Sequence, residues 1–343
     1  MVTVTLPISK SIANRVLILQ ALRGEALMAV DATMPEDIRI LREALVAIHS
    51  DNPPKKIDLG NCGTAMRFLT AYCAQLKDHT IILDGSERMR KRPIGQLVEA
   101  LSMCGADIWY LGEQEYPPLR IHGQKLYFIK HMIDNSSYPI NNPASSQYVS
   151  ALKMIGLPVE TNSTSPYIAM TEAIIASDTS KMTAKDIEVD WSSAAFWYEY
   201  VALHGGEIEL IGLKKDSLQG DKCVAEIFEN LGVMTEYTDR GIVIRKSGKK
   251  PKWVMVYNFR NCPDLYPAIA IACKQLGTKL FARGTEVLRI KESDRLQAVK
   301  EYKSYGDHRI AMALLSADFA CDDIPCINKS YPTFYQQLCA LRG

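Results

Sequence analysis

The chain has 343 residues, of which 47% are hydrophobic and 23% charged, a composition typical of a globular protein rather than a disordered one. Lys and Arg number 40 and Asp and Glu number 39, so the formal net charge of +1 lacks the basic excess of a non-specific nucleic-acid binder. The length exceeds what one ordinary core supports and predicts two domains.

Cysteine usage and the missing targeting signals predict the compartment. Nine Cys residues are scattered along the chain, and no CxxC pair occurs. This spacing argues against a disulfide framework and favours a reduced, cytoplasmic protein. The sequence has no run of about 18 apolar residues, and its start, MVTVTLPISKS, lacks the apolar core of a signal peptide. We therefore expect no membrane contact.

One supersecondary unit recurs in chain order: a polar start, an amphipathic helix, a glycine and an alternating strand. In RPIGQLVEALSMCGADIWYL the apolar spacing i, i+3, i+4, i+7 begins at Ile94, and Gly105 is expected to end the helix. In GDKCVAEIFENLGVMTEY the spacing begins at Val224, with Asp221 as the expected cap. Looser copies begin at GTAMRFLTAYCAQL, SSQYVSALKM, SSAAFWYEYVAL, PDLYPAIAIACKQLG, ESDRLQAVKEY and DHRIAMALL. Short helices alternating with short strands predict an α/β fold.

Basic residues cluster at the predicted helix starts SKSIANR, GNCGTAMR, ERMRKRP, KESDR and GDHR. The helix dipole disfavours cations in a first turn, whereas the free N–H groups there favour an anion. Each segment alone has an ordinary interpretation, as a helix cap or a solvated run of charge. Five such starts in a chain of near-neutral charge indicate a substrate set with several anionic groups.

The sequence lacks the motifs of several common nucleotide-binding, hydrolase and metal sites. No G-K-[ST] follows GNCGT, no GxGxxG follows a strand, and no GxSxG occurs. His and Cys show no metal-ligand spacing. We therefore expect neither a cofactor nor a metal.

Taken together, the motifs resemble those of the 5-enolpyruvylshikimate-3-phosphate synthase family. They occur in the family's order from one end of the chain to the other, and DWSSAAFWYEYVAL is similar to members from Bacteroidetes-type bacteria. The motifs that carry the resemblance are LPISKSIANR, LGNCGTAMRFLTA, ERMRKRPI, SSQYVSALKM, SPYI, DWSSA, QGD, CPDL, LRIKESDRL, YGDHRIAMA and KSYP.

The resemblance implies an enolpyruvyl transferase fold, an inside-out α/β barrel of two similar domains. Each domain would contain three βαβαββ units, with helix N-termini pointing into the cleft between the domains. The first domain is expected at residues 10–188, and the second at residues 1–9 and 189–343. A change in residue composition at SDTSKMTAKDIEVDWSSAAF independently suggests a hinge near residues 180–191.

The resemblance also implies the reaction. Shikimate 3-phosphate would accept the enolpyruvyl group of phosphoenolpyruvate on its 5-hydroxyl, by addition and then elimination of phosphate. This step leads to chorismate and the aromatic amino acids. Both substrates are small molecules, and we expect a cytoplasmic monomer.

Site residues carry over by position. The catalytic set comprises Lys10, Asp264 and Glu292. The residues matched to phosphoenolpyruvate are Lys10, Asn61, Gly63, Thr64, Arg92, Gln147, Arg295, Arg309 and Lys329. The residues matched to shikimate 3-phosphate are Lys10, Ser11, Arg15, Ser145, Ser146, Gln147, Thr164, Asp264 and Lys291. In this family glyphosate occupies the phosphoenolpyruvate site, and Gly63→Ala is expected to raise its inhibition constant more than the KM for phosphoenolpyruvate.

The sequence departs from the family pattern at single positions. Thr164 stands where Ser is usual, Cys62 replaces Ala, Phe68 replaces Pro, and Val287 occupies a position that is often polar.

The chain is also short for the family near residues 172–186 and 299–304. Motifs flank both joins, and loss of an interior strand would expose core. This favours residues missing from the sequence over a naturally shortened protein.

Two other functions stay open. The sister enolpyruvyl transferase acts on a UDP-sugar, but its motifs differ from SKS…R, SSQ and KESDR. A catalytically dead anion-binding homologue is suggested by the two short joins, although Lys10, Asp264, Glu292 and Arg309 are all present. Turnover with shikimate 3-phosphate or with a UDP-sugar separates these possibilities.

Overall fold

The computed structural model describes residues 2–127 and 135–343. The chain divides into two compact units. Unit 1 comprises Met1–Lys10, Asp31–Glu36 and Ile187–Gly343, and unit 2 comprises Ser11–Val30 and Asp37–Asp186. Met1 and residues 128–134, which fall within the two predicted domains, lie outside the described residues. The predicted domain limits stay a prediction.

Helices and strands alternate along most of the described chain, which confirms the predicted α/β class. The helices are α1 (Lys10–Leu22), α2 (Glu36–Ile48), α3 (Gly63–Ala74), α4 (Gly95–Met103), α5 (Ser146–Met154), α6 (Pro166–Ile175), α7 (Trp191–His204), α8 (Val224–Glu229), α9 (Tyr266–Gln275), α10 (Arg295–Glu301), α11 (His308–Ser316) and α12 (Phe334–Arg342). The strands are β1 (Val2–Thr5), β2 (Lys56–Asp58), β3 (Thr80–Asp84), β4 (Asp107–Tyr110), β5 (Leu119–His122), β6 (Tyr138–Pro139), β7 (Val159–Glu160), β8 (Glu207–Ile211), β9 (Val233–Thr238), β10 (Gly241–Lys246), β11 (Val254–Asn258) and β12 (Lys279–Arg283).

Unit 2 contains one complete βαβαββ unit. Its four-stranded sheet has the order β2-β3-β5-β4, with β2 and β3 parallel and the other neighbours antiparallel. The connection α3 is buried along almost its whole length and α4 is amphipathic. Buried residues such as Phe68, Leu69 and Leu97 contribute to the core beside Leu119 and Ile121 of β5. Removal of these apolar side chains from water stabilises the unit.

Unit 1 repeats the same topology with different residues. Its sheet has the order β1-β8-β10-β9, again with the first pair parallel and the others antiparallel. The helices α7 and α8 accompany this sheet, and Trp191 and Trp197 of α7 are fully buried. The recurring unit predicted from sequence spacing therefore exists as one folded copy in each half of the chain.

A second, shorter copy follows in each unit. Strands β6 and β7 form a parallel pair linked by α5, and β11 and β12 form a parallel pair linked by α9. Helices α6 and α10 follow these pairs, and no further strand of the described chain joins either pair. Both short copies end at the joins that sequence analysis marked near 172–186 and 299–304.

One predicted helix end is confirmed and one predicted helix cap is wrong. Helix α4 begins after Ile94, and Gly105 beyond its end has φ +91°, a left-handed conformation that glycine adopts without strain. The expectation that Asp221 caps the next copy is wrong, because Asp221 makes no capping hydrogen bond. Its carboxylate instead accepts a hydrogen bond from the hydroxyl of Ser192.

Candidate active site

In unit 2, two buried guanidinium groups converge on Gly63 at the start of α3. Arg67 donates through Nη1 to the Gly63 carbonyl at 2.8 Å, and Arg92 donates through Nη1 to the Asn61 carbonyl at 3.4 Å. A Cβ placed on Gly63 would lie 2.5 Å from Arg67 Nη1 and 2.6 Å from Arg92 Nη1. The loop 59–63 therefore needs glycine so that both cations can approach its backbone.

The start of α5 lies against this loop. Ser145 caps α5, since its Oγ accepts from the backbone N–H of Gln147 at 3.3 Å. The Gln147 side chain donates through Nε2 to Thr64 Oγ1 at 2.9 Å. Thus Thr64, Ser145, Ser146 and Gln147, which sequence analysis assigned to the two substrates, are brought together in unit 2.

Arg15 is a buried cation held by neutral groups. Its Nε donates to Thr171 Oγ1 at 2.6 Å, Nη2 to Ser150 Oγ at 3.1 Å and Nη1 to the Ser11 carbonyl at 2.7 Å. Burial lowers the pKa of Arg15 to about 10. No carboxylate of the described residues pairs with it, so its charge is available to an anion.

Phe68 gives Arg15 a second kind of support. The guanidinium carbon lies 5.3 Å from the centre of the Phe68 ring, a cation–π distance. The position where this chain departs from the family's Pro therefore contacts a predicted shikimate 3-phosphate residue.

In unit 1, Arg295 is enclosed by three carboxylates. Its guanidinium donates to Asp307 Oδ2 at 2.8 Å, to Asp264 Oδ1 at 2.7 Å and to Glu292 Oε2 at 3.2 Å. Arg295 is 1% exposed and Asp307 is fully buried. The sequence assigned Arg295 to phosphoenolpyruvate, but in the structure these carboxylates occupy its donors, and its contact with the substrate stays a prediction.

Asp264 is the hub of the same cluster. Burial acts to raise its pKa, but the charges of Arg309, Lys291 and Arg295 together hold the pKa of Asp264 well below its usual value. Lys291 Nζ lies 3.4 Å from Oδ1 and Arg309 Nη2 lies 3.0 Å from Oδ2. Asp264 is therefore ionised at neutral pH and orients three cations.

Arg309 has one hydrogen-bond donor that no group of the described chain uses. Its second terminal nitrogen, Nη1, is buried and has no hydrogen-bond partner among residues 2–127 and 135–343. An unsatisfied buried N–H of a cation costs free energy, which an incoming anion would recover.

Lys10 and Lys329 are the other two basic residues of unit 1 that sequence analysis assigned to phosphoenolpyruvate. Lys10 Nζ lies 3.5 Å from His308 Nε2, and Lys329 Nζ lies 3.8 Å from Glu292 Oε1. Burial, and then the charges of Lys10 and Arg309, hold the pKa of His308 well below its usual value. His308 is therefore neutral, and its Nε2 faces the ammonium group as an acceptor.

Sequence analysis missed five residues that shape these clusters. Asp190 caps α7 by accepting from the Ser193 N–H at 2.9 Å, and Asp307 caps α11 by accepting from the Arg309 N–H at 3.0 Å. A signal was present, since these residues lie inside quoted motifs, but none was assigned to the site and Asp221 was considered only as a helix cap. These residues are Arg67, Asp190, Asp221, Asp307 and His308.

Asp221 differs from the other carboxylates. Burial, and then the charge of Asp264, raise the pKa of Asp221 to about 7. It thus changes charge near neutral pH, beside a carboxylate that stays ionised. Such a pair is suited to holding or passing a proton.

Not every predicted residue joins a cluster. Thr164 is exposed and precedes α6. No group of three or more His, Cys, Asp or Glu side chains in the described chain is arranged to hold a metal ion. Among the described helices, none is both long and apolar enough to cross a bilayer.

Comparison with known proteins places these motifs in one family. The model of "EPSP synthase (3-phosphoshikimate 1-carboxyvinyltransferase)" matches residues 2–177 and 139–301. A 3-phosphoshikimate 1-carboxyvinyltransferase of Bacteroides fragilis is 34% identical, covering 98% of this chain and 94% of that protein. Another, from Colwellia psychrerythraea, is 30% identical over 97% of this chain and 95% of that protein.

The fold agrees with the sequence match. A solved EPSP synthase from Acinetobacter baumannii aligns with a TM-score of 0.65 at 20% identity, covering 98% of this chain and 95% of that one. The alignment with the Bacteroides fragilis protein spans 401 positions, more than the whole length of this chain. The relatives therefore contain interior residues that this chain lacks, and the chain belongs to the EPSP synthase family.

Proposed function

We propose that this chain transfers the carboxyvinyl group of phosphoenolpyruvate to the 5-hydroxyl of shikimate 3-phosphate and releases phosphate. Membership of the EPSP synthase family supports the reaction. The observation in this chain that best supports the reaction concerns Arg309. This buried cation lies beside the ionised Asp264, and its Nη1 has no hydrogen-bond partner among the described residues. Such a group suits an anionic substrate.

Each unit contributes a separate part of the machinery. In unit 2, Arg92, Gly63 and Thr64 receive phosphoenolpyruvate, while Arg15 and the α5 start receive the phosphate of shikimate 3-phosphate. In unit 1, Lys10, Arg309 and Lys329 supply positive charge for the carboxylate and phosphate of phosphoenolpyruvate. The buried positive charge in each unit is complementary to a substrate pair that carries two phosphates and two carboxylates.

The proton transfers fall to the carboxylates of unit 1. The 5-hydroxyl oxygen attacks C2 of phosphoenolpyruvate and gives its proton to a carboxylate, while C3 gains a proton from an acid. In the second step C3 loses a proton and the C2–O bond to phosphate breaks. Asp264, ionised and oriented by Lys291, accepts the hydroxyl proton. Glu292 donates the proton to C3 in the first step and removes one from C3 in the second. Lys10 stabilises the charge on the bridging oxygen as phosphate leaves.

A matched turnover assay tests the proposal. Phosphate release from phosphoenolpyruvate is followed with either shikimate 3-phosphate or a UDP-N-acetyl sugar as acceptor. We expect release only with shikimate 3-phosphate, and loss of release in Lys10→Met. Release with the sugar nucleotide instead would assign the chain to the sister reaction.

The shortened copies favour one competing function, an anion-binding protein without catalysis. It predicts that both substrates bind and neither is consumed. The intact set of Lys10, Asp264, Glu292 and Arg309 favours catalysis, since binding alone does not require proton-transfer groups.

We also propose a cytoplasmic monomer. The nine cysteines are all free thiols, as a reduced compartment allows. Light scattering at micromolar concentration should give a mass close to 38.3 kDa, and a mass of about twice that value would contradict the monomer.

A further inference from the structure

Two thiols and a phenol form a cluster in unit 1 that the proposed reaction does not use. Cys262 donates from Sγ to the Tyr257 hydroxyl at 3.8 Å. Cys223 hydrogen-bonds to both Cys262 and Tyr257. Cys223 ends a short 3₁₀ helix, Gly220–Cys223, and Cys262 lies between two others, Phe259–Asn261 and Pro263–Leu265. Residues 39 positions apart in sequence therefore bring their thiols into contact.

Each thiol lies two residues from a carboxylate of the candidate site. Asp221 precedes Cys223 and Asp264 follows Cys262, and these two carboxylates interact electrostatically. A covalent bond between the two sulfur atoms would therefore tie together the two loops that carry Asp221 and Asp264. The bond requires the sulfur atoms to approach to about 2 Å, closer than their hydrogen-bonded contact.

We propose that Cys223 and Cys262 form a reversible disulfide that switches this enzyme off under oxidising conditions. The chemistry needs a mild two-electron oxidant of the peroxide class. The Cys223 thiolate attacks a peroxide oxygen, the O–O bond breaks, and a sulfenic acid forms as one water leaves. The Cys262 thiol then attacks that sulfur, the S–S bond forms, and the second water leaves. A dithiol reductant returns both thiols.

The environment of Cys223 suits its role as the thiol that meets the oxidant. Cys223 is partly exposed, so an oxidant reaches it, while Cys262 is 2% exposed. The hydrogen bond from Cys262 lowers the pKa of the Cys223 thiol, which raises its thiolate fraction. A partly exposed, acidified thiol beside a buried second thiol is the arrangement of redox-sensing cysteines.

Loss of activity follows from displacement of the carboxylates. Asp264 orients Arg295, Arg309 and Lys291, so a shift of its loop moves three cations with it. Displacements near 1 Å in a catalytic site lower rates by up to about a hundredfold. This effect on turnover rests on the proposed function, whereas formation of the disulfide does not.

Peptide mapping and turnover after peroxide treatment test the proposal together. The full chain is treated with hydrogen peroxide, alkylated with iodoacetamide and digested. We expect a cross-linked peptide pair containing Cys223 and Cys262, a fall in kcat of about tenfold or more, and recovery with dithiothreitol. Cys321→Ser, which alters another partly buried thiol, is the matched control and should behave like the parent.

Cys223→Ser and Cys223→Ala should keep their activity through the same treatment, and two variants guard against a folding defect in one. Iodoacetamide labelling of both Cys223 and Cys262 after oxidation would overturn the disulfide. Equal inactivation of Cys223→Ser and the parent would overturn the switch. If the untreated chain shows no turnover, the proposed function fails, and the peptide map still decides whether the disulfide forms.

Discussion

At the scale of single residues, buried charge separates groups that serve the fold from groups that await a substrate. Arg295 donates to three carboxylates, whereas Arg15 has only neutral partners and Arg309 has a donor without one. All three lie in basic motifs that look alike in sequence. Burial and partner identity distinguish them, and neither can be obtained from the spacing of residues along the chain.

Arg92→Ala and Arg309→Ala should weaken phosphoenolpyruvate binding far more than shikimate 3-phosphate binding. Each removes a charge-assisted contact, which costs about 1.5–3 kcal/mol, or roughly tenfold to a hundredfold in affinity. Titration calorimetry with each substrate measures the two effects. Equal weakening of both substrates would mean that the variant disturbs the fold of its unit rather than one contact.

Glu199 predicts a pH-dependent stability. It is fully buried in α7, and no atom of the described residues hydrogen-bonds to its carboxyl oxygens. Burial raises the pKa of Glu199 well above its usual value. The folded chain therefore keeps a proton that the unfolded chain loses as the pH rises above about 4.5.

Glu199→Gln does not titrate, so its stability relative to the parent should grow as the pH rises. The gain is up to about 1.4 kcal/mol per pH unit until the pH reaches the folded pKa. Urea unfolding at pH 5 and pH 8 measures it, with the exposed Glu207→Gln as the control. A parent–variant difference that is the same at both pH values would show that Glu199 is already ionised in the folded chain.

At the scale of helices and loops, the residues just before a helix decide how its first-turn cations are tolerated. Sequence analysis expected bound anions to compensate for Arg295 and Arg309. In the structure Asp294 caps α10 and Asp307 caps α11, so protein carboxylates already supply part of that compensation. The motifs KESDR and GDHR contain both the cation and its cap.

Asp307→Ala should destabilise the chain far more than Asp294→Ala. Asp307 is fully buried and also pairs with Arg295, so its loss leaves the buried Nε of Arg295 without an acceptor, at a cost of about 1.5–3 kcal/mol beyond the lost cap. Asp294 is partly exposed, and loss of its capping bonds costs about 1 kcal/mol. Chemical unfolding of both variants measures the contrast. Equal losses would contradict the Arg295 cluster.

Gly63→Ala tests the start of α3. Sequence analysis placed the added methyl group against a ligand, but the structure places it against the guanidinium groups of Arg67 and Arg92. Both are ends of flexible side chains and must shift. We therefore expect the KM for phosphoenolpyruvate to rise together with the inhibition constant of glyphosate.

Gly112→Ala is the control for this prediction, because its Cβ would meet nothing closer than 3.6 Å. Steady-state kinetics at saturating shikimate 3-phosphate measures both constants. A rise in the inhibition constant alone would favour a clash with the inhibitor itself.

At the scale of the whole molecule, the sequence predicted the α/β class and the repeated unit because apolar spacing and glycine positions are local signals. Local spacing did not predict the pairing of β1 with β8, because strands about 200 residues apart leave no local trace of their contact. Only the family resemblance placed residues 1–9 with the second domain. The assignment of Thr164 rests on position alone and stays a prediction, and in the structure that residue is exposed. Long-range contacts and burial account for most of what sequence analysis missed.

The shortened copies give the molecule an unusual surface. In unit 1, β12 has β11 as its only partner among the described strands, whereas the corresponding β8 pairs on both sides. Apolar side chains at this shortened sheet are exposed: Val256 at 56%, Phe281 at 47% and, just before β11, Trp253 at 81%. This agrees with the expectation that loss of interior strands exposes core. Sequencing the encoding DNA across both joins tests whether residues are missing there.

The most direct test of the central claim is conversion of both substrates by this short chain. Phosphorus and proton nuclear magnetic resonance would follow shikimate 3-phosphate and phosphoenolpyruvate mixed with the purified chain. We expect the phosphoenolpyruvate signal to be replaced, one for one, by inorganic phosphate and a new enolpyruvyl ether, and we expect Lys10→Met to abolish this exchange. Line broadening of both substrates without any product would contradict catalysis and identify the chain as an anion-binding member of the family.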